Sequence, residues 1–186
     1  MRKILLLGVL FPFAALAQQP ATFSGEGGTV SYKLVHKFHE MTGVSRSVEA
    51  KARVLPEGTI QVAARAKVDS FDSGNANRDA HMLEAVEGTK FPAVEVKMVA
   101  QGVALPAKFP AEVKAHFKGA VVFHGVQQPQ QMDAALKFSD AGHAEVVGGF
   151  ALSIEAFGIE RPSLVFVKVD DDLKISVDLK MKKDSP

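Results

Sequence analysis

The chain contains no cysteine. Disulfides are excluded as a source of stability, and so is a lipid-modified cysteine as an anchor, so burial of apolar surface must hold the fold together. Clustered basic residues are also missing. Lys and Arg number 22 against 21 Asp and Glu, a net charge of +1, and a near-neutral chain argues against nucleic acid as a partner. After residue 17 no stretch is long and apolar enough to span a bilayer as a helix. Three motifs that would point to an enzyme class do not occur: the G-x-S-x-G nucleophile elbow, the phosphate-cradling P-loop and the zinc-binding H-E-x-x-H. His39-Glu40 begins the last of these, but Gly43 stands where its second histidine is needed.

What is present begins with an export pattern. Arg2-Lys3, the apolar run from Ile4 to Phe13 and Ala15-Leu16-Ala17 follow the order of a charged n-region, an h-region and an A-x-A cleavage site. Residues 1–17 are therefore expected to be a signal peptide cleaved after Ala17. Its removal takes away Arg2 and Lys3 and no acidic residue, which turns +1 into −1. A periplasmic protein without a stable membrane anchor is expected, or one secreted beyond that compartment. Residues 18–28, polar and glycine-rich, read as a flexible leader, and 29–183 as a single domain. With 47% hydrophobic residues, 186 positions suffice for one well-buried core and not for two.

From Val30 onward apolar residues recur with period two, the mark of half-buried strands. Val30, Tyr32, Leu34 and His36 share one face. Further alternating sets run through Val44–Val54, Ile60–Val68, Val94–Ala100, Val113–Phe123, Met132–Phe138, Ala144–Ile154 and Leu173–Met181. Turns are expected at Pro56–Gly58, Gly125–Pro129 and Asp140–Gly142, and an irregular stretch at Glu155–Asp172. About eight such strands predict an all-β fold, an antiparallel barrel. Edges exposed near Val94 or Met132 would suit a homodimer. The inward set includes Ala50, Ala52, Ala64, Ala66, Ala100, Ala115, Gly119, Ala134, Ala144 and Gly148, small residues that leave room for a ligand or merely fit the taper of a filled barrel. A hydrocarbon losing ~400 Å² to such a lining gains about 10 kcal/mol before immobilisation costs of several kcal/mol. Phenylalanine at Ala115 or Ala134 is expected to block it.

One segment departs from this rhythm. Between Val68 and Pro92, Ala76–Glu87 is compatible with a helix, with Asp72 and Ser73 as capping candidates, Met82, Leu83 and Val86 as the apolar side and Gly88 as the stop. Arg78 carries the wrong sign for a helix start and so calls for a partner elsewhere. Arg78, Asp79 and His81 form either an acid/base cluster or a network that pins the helix start. The second is favoured because no nucleophile stands near them. His36 and His39 lack a third ligand at metal-site spacing, so no metal is expected. His116, His124 and the Asp170–Asp172 run read as solvated.

Ser73-Gly74-Asn75-Ala76-Asn77-Arg78-Asp79-Ala80-His81-Met82, followed by Phe91-Pro92, resembles the hallmark of the YceI-like polyisoprenoid-binding proteins. Phe123-His124-Gly125-Val126 and Phe157-Gly158-Ile159 look like two further family segments. The resemblance implies a lipocalin-like eight-stranded antiparallel β-barrel with a short helical insertion. It also implies a tunnel for a polyisoprenoid, an isoprenoid quinone or a fatty-acid derivative, with no cofactor and no catalysis. Ile154-Glu155-Ala156 departs from the family's usual Arg-Ser-Asp. The expected lining is Tyr32, Leu34, Val48, Val62, Val96, Met98, Phe117, Val121, Phe138, Phe150, Ile175 and Val177. Phe71, Phe91 and Phe157 are placed at the mouth, and His36, Arg78 and His81 at the head group. The alternatives are an enzyme using Arg78, Asp79 or His81, and a ligand-free structural or interaction barrel.

Overall fold

The computed structural model describes residues 20–37, 39–164 and 167–185; the expected signal peptide lies outside them. Strands β1 (Ala21–His36), β2 (His39–Ser45), β3 (Val48–Val54) and β4 (Ile60–Lys67) lead to a single 3₁₀ turn, η1 (Val68–Ser70), and a helix, α1 (Ala76–Ala85). Strands β5 (Ala93–Ala100), β6 (Ala111–Phe123), β7 (Val126–Phe138) and β8 (His143–Ser153) follow. After them come a second 3₁₀ turn, η2 (Glu155–Phe157), the short β9 (Ser163–Leu164) and β10 (Val167–Lys168), and finally β11 (Asp172–Lys183).

Antiparallel neighbours run β11-β8-β7-β6-β5-β4-β3-β1-β2, and β11 also pairs with β1, which closes the sheet into a barrel. Strands β2 and β3 keep one register against β1, with Val30 opposite Ser45 and Ser24 opposite Lys51. They are two halves of one bent wall, so the barrel has eight walls. The bend is tied from inside: Ser45, fully buried, shares a 2.7 Å hydrogen bond with Ser70 and accepts one from the Ser47 amide. The strands alternate as the period-two pattern requires, apolar side chains inward and charged ones outward.

Two expectations are corrected. The described part of the glycine-rich leader is strand: Ala21–Ser24 pairs with β3, and β1 runs along β11 from Phe23 with a register slip between Gly25 and Gly27. Glycine serves the sheet here, since Gly28 lies at φ 113° and any Cβ would strike the Asp178 carbonyl. The Gly125–Pro129 turn shrinks to His124-Gly125, with β7 starting at Val126. Pro129 is tolerated because β7 pairs with β8 only from Asp133 onward, leaving its N-terminal half free on that side. Val94 pairs with Ala66 and Met132 with Phe117, while on their other sides the ladders begin one residue later, at Glu95 and Asp133.

Candidate functional site

The barrel interior divides into two layers. At the end where β3 meets β4, Ile60, Ala100, Val103, Ala115, Ala134 and Leu136 are buried against one another. Toward the other end the side chains stand back from a cavity of about 810 Å³, which extends to α1 and to the segment Ile159–Ser163. Its lining is apolar apart from Tyr32, Arg65, Asn75, Asn77, Arg78, His81 and Ser163. Asn75, Asn77, His81, Pro162 and Ser163 are exposed, which marks this rim as the mouth.

Helix α1 forms one side of the mouth, and local chemistry explains why it starts where it does. Asn75, not Asp72 or Ser73, is the N-cap: its side chain accepts from the Arg78 amide at 3.1 Å. Asp72 instead accepts from the Gly74 amide at 2.7 Å, and its backbone bridges to Val44 of β2. Ser73 is the hub. Its amide and hydroxyl donate to the Asp79 carboxylate, while its hydroxyl and carbonyl accept from the Arg78 guanidinium. This supplies the partner that Arg78 called for, and it ties the helix start to the loop before it. Arg78, His81, Met82 and Ala85 follow i, i+3, i+4, i+7 spacing and all border the cavity, so one helix face is polar at the rim and apolar deeper in.

Of the residues expected in the site, Tyr32, Leu34, Val48, Val62, Phe71, Arg78, His81, Val96, Met98, Phe117, Val121, Phe150, Ile175 and Val177 border the cavity. Four stand apart. His36 is buried, and its Nε2 donates to the Val167 carbonyl at 3.1 Å, pinning the β10 segment to the end of β1. Phe91 packs on the outside, with its ring 4.4 Å from that of His124 and under the Lys90 ammonium. Phe138 meets Phe109 at the opposite end of the barrel. Phe157 is 1% exposed and packs on Phe123 within the core. Aromatic residues near loops look alike in sequence, and only the three-dimensional path of each loop separates a rim position from a core one. His124 is likewise not solvated: Nδ1 faces the Phe157 carbonyl and Nε2 the Glu87 carboxylate.

Sequence reasoning missed Met41, Asn77, Met82, Ala85, Ile159 and Pro162 as lining residues. The helical spacing from Arg78 would have found Met82 and Ala85. Of the small inward residues, Ala50, Ala52, Ala64 and Ala66 border the cavity, while Ala115 and Ala134 lie beneath it, facing each other across β6 and β7. Gly119 serves strand contact instead, since a Cβ there would strike the Lys97 carbonyl.

Tyr32 lies over Gly43, where a Cβ would collide with its ring, and meets Phe71 at 5.6 Å between centroids. Burial pushes its phenol above the ordinary tyrosine range; the Asp79 carboxylate adds to the rise and the Arg78 guanidinium opposes it. Tyr32 is the only tyrosine, so absorbance titration of the phenolate reads it alone. The expected midpoint lies above about 10, the free value, and rises further in Arg78→Gln; a midpoint at or below that of free tyrosine would contradict the placement. Because the folded pKa is raised, the stability Tyr32 contributes is present below pH ~10 and is lost as pH climbs through the folded value. Among the described residues no group of three or more His, Cys, Asp or Glu is placed to hold a metal.

A profile of the YceI-like domain matches residues 19–181. Among solved structures, a polyisoprenoid binding domain from Saccharophagus degradans, implicated in plant cell wall breakdown, superposes with a TM-score of 0.68 at 10% identity, covering 87% of this chain and 98% of that one. BcnA of Burkholderia cenocepacia gives 0.67 at 16%, covering 82% and 95%. The Campylobacter jejuni YCEI protein gives 0.53 at 14%, covering 100% of both chains. At these identities the likeness is one of fold. No curated protein matches the sequence.

Proposed function

Because this chain belongs to the YceI-like domain family, we propose that it is a non-catalytic periplasmic binding protein. In this proposal it holds one long apolar molecule, an isoprenoid or another long-chain lipid, with the tail inside the barrel and the polar end near Tyr32, Arg78 and His81. The observation that carries the proposal is the cavity itself, about 810 Å³ with an almost wholly apolar wall. Water in such a space finds few hydrogen-bond partners, whereas a hydrocarbon exchanges hydration for close contact at roughly 25 cal/mol per Å². The solved domain described as polyisoprenoid binding favours an isoprenoid among long apolar ligands. The pattern of residues 1–17 supports export. Arg78 and Asp79 are committed to Ser73, which supports a structural use of both and weakens the enzyme alternative.

Native mass spectrometry of the protein purified from a bacterial periplasm, followed by organic extraction, is the direct test. A stoichiometric apolar molecule is expected. Tyr32 provides a second readout: with one Tyr and no Trp in the chain, ultraviolet-excited emission reports a residue that borders the cavity, and it should change on titration with a long-chain isoprenol. A bare mass combined with unchanged emission would favour the filled-barrel alternative.

A further inference from the structure

The cavity has a floor, and its depth is decided by a few side chains. Ala52, Val62 and Met98 stand in one cross-strand row, with Ala52 opposite Val62 and Val62 opposite Met98. Phe117, Leu179 and Met181, 1%, 7% and 4% exposed, border the cavity with them. One row further on, Val54 pairs with Ile60 and Ile60 with Ala100. These three do not border the cavity, nor do Ala115 and Ala134. Among the described residues, the cavity thus ends against the row Ala52, Val62 and Met98.

We propose that this floor limits the ligand to a chain of intermediate length, about five isoprene units, an inference that rests on the lipid-binding reading above. A water-sized group such as a methylene occupies ~30 Å³, so a cavity of about 810 Å³ is filled by roughly 27 carbons at that volume per group. Carbons added beyond that number stay outside the mouth in water and bury no further apolar surface. Chain length is thus set by the level at which Met98 and Phe117 seal the barrel, and head-group contacts at the rim are independent of it.

The test is a series of all-trans isoprenols from about two to about nine units, titrated into delipidated protein with Tyr32 emission as the readout. Affinity is expected to tighten by at least ~10-fold per unit up to about five units and by less than ~3-fold per unit beyond. Ala52→Phe, which raises the floor, should move the break to about four units; its urea midpoint, compared with that of the parent, confirms that it folds. Affinity that keeps climbing past about seven units in the parent protein would overturn the length limit while leaving lipid binding intact. Failure of every isoprenol to bind would overturn both.

Discussion

Ala64→Phe is expected to abolish ligand uptake while leaving the protein folded. Ala64 faces inward on β4, paired with Ala50 on one side and Val96 on the other, and all three border the cavity. A benzyl group there projects into empty space in the middle of the pocket. It displaces ligand without displacing protein atoms, so the change in stability should stay within about 1 kcal/mol, below the usual 1–3 kcal/mol of overpacking a filled core. Affinity should fall by about 100-fold or more, since losing even four or five buried methylenes at ~0.8 kcal/mol each exceeds two decades. Organic extraction and Tyr32 titration measure the loss, and urea unfolding measures the stability. Undiminished lipid in a folded Ala64→Phe protein would show that the pocket is not where the ligand sits. The same substitution at Ala115 or Ala134 is a different experiment. Both residues are 5% exposed and packed beneath the floor, so a ring there strains the core without entering the cavity.

Phe157→Ala is expected to destabilise the fold by about 3–5 kcal/mol, a large share of the ~5–15 kcal/mol typical of a domain. The ring is 1% exposed and packs on Phe123 at 5.7 Å between centroids, and the residue's carbonyl faces His124. Deleting it opens a void at the joint where η2, the β6–β7 hairpin and the turn after α1 meet. Its neighbours there are fixed by other bonds: Asp171 accepts from the Glu155 amide, which holds its carboxyl below the usual carboxylate range, and Gln128 donates to the Ala156 carbonyl. Little collapse into the void is therefore available, and the loss should fall at the upper part of the range. Phe157→Leu should recover more than half of it. Urea denaturation followed by far-ultraviolet circular dichroism gives the number; a loss under about 1 kcal/mol would mean that the ring is not a core element.

The two substitutions separate what each kind of residue does. Ala64 matters for space and Phe157 for cohesion, although the sequence alone places both near a ligand. Period-two alternation suffices to assign Ala64 an inward direction, because side chains alternate across a strand whatever its neighbours are. No such rule governs Phe157 or Phe91, which lie outside the regular strands. His36 fails for a related reason. Its parity is inward, but it stands at the last residue of β1, where the inward side meets the β10 segment and not the cavity. Alternation gives the direction of a side chain and says nothing about its height along the barrel axis.

The amino-acid sequence by itself determined the wall of this protein: the eight walls of the barrel, the face each presents, the antiparallel hairpin order and the helical insertion with Arg78 and His81 on one side. These follow from local periodicities of two and 3.6, which are properties of neighbouring residues. Only the tertiary structure decided how β2 and β3 align as one bent wall, how β11 closes on β1 and at what level the core fills. Those depend on register between strands distant in sequence and on volumes summed across eight walls. Small residues at Ala52 and Ala115 carry the same sequence signal. One borders the cavity and the other lies packed below it in the buried cluster with Ile60, Ala100 and Leu136, because the level at which side chains fill the barrel is set by all its walls together.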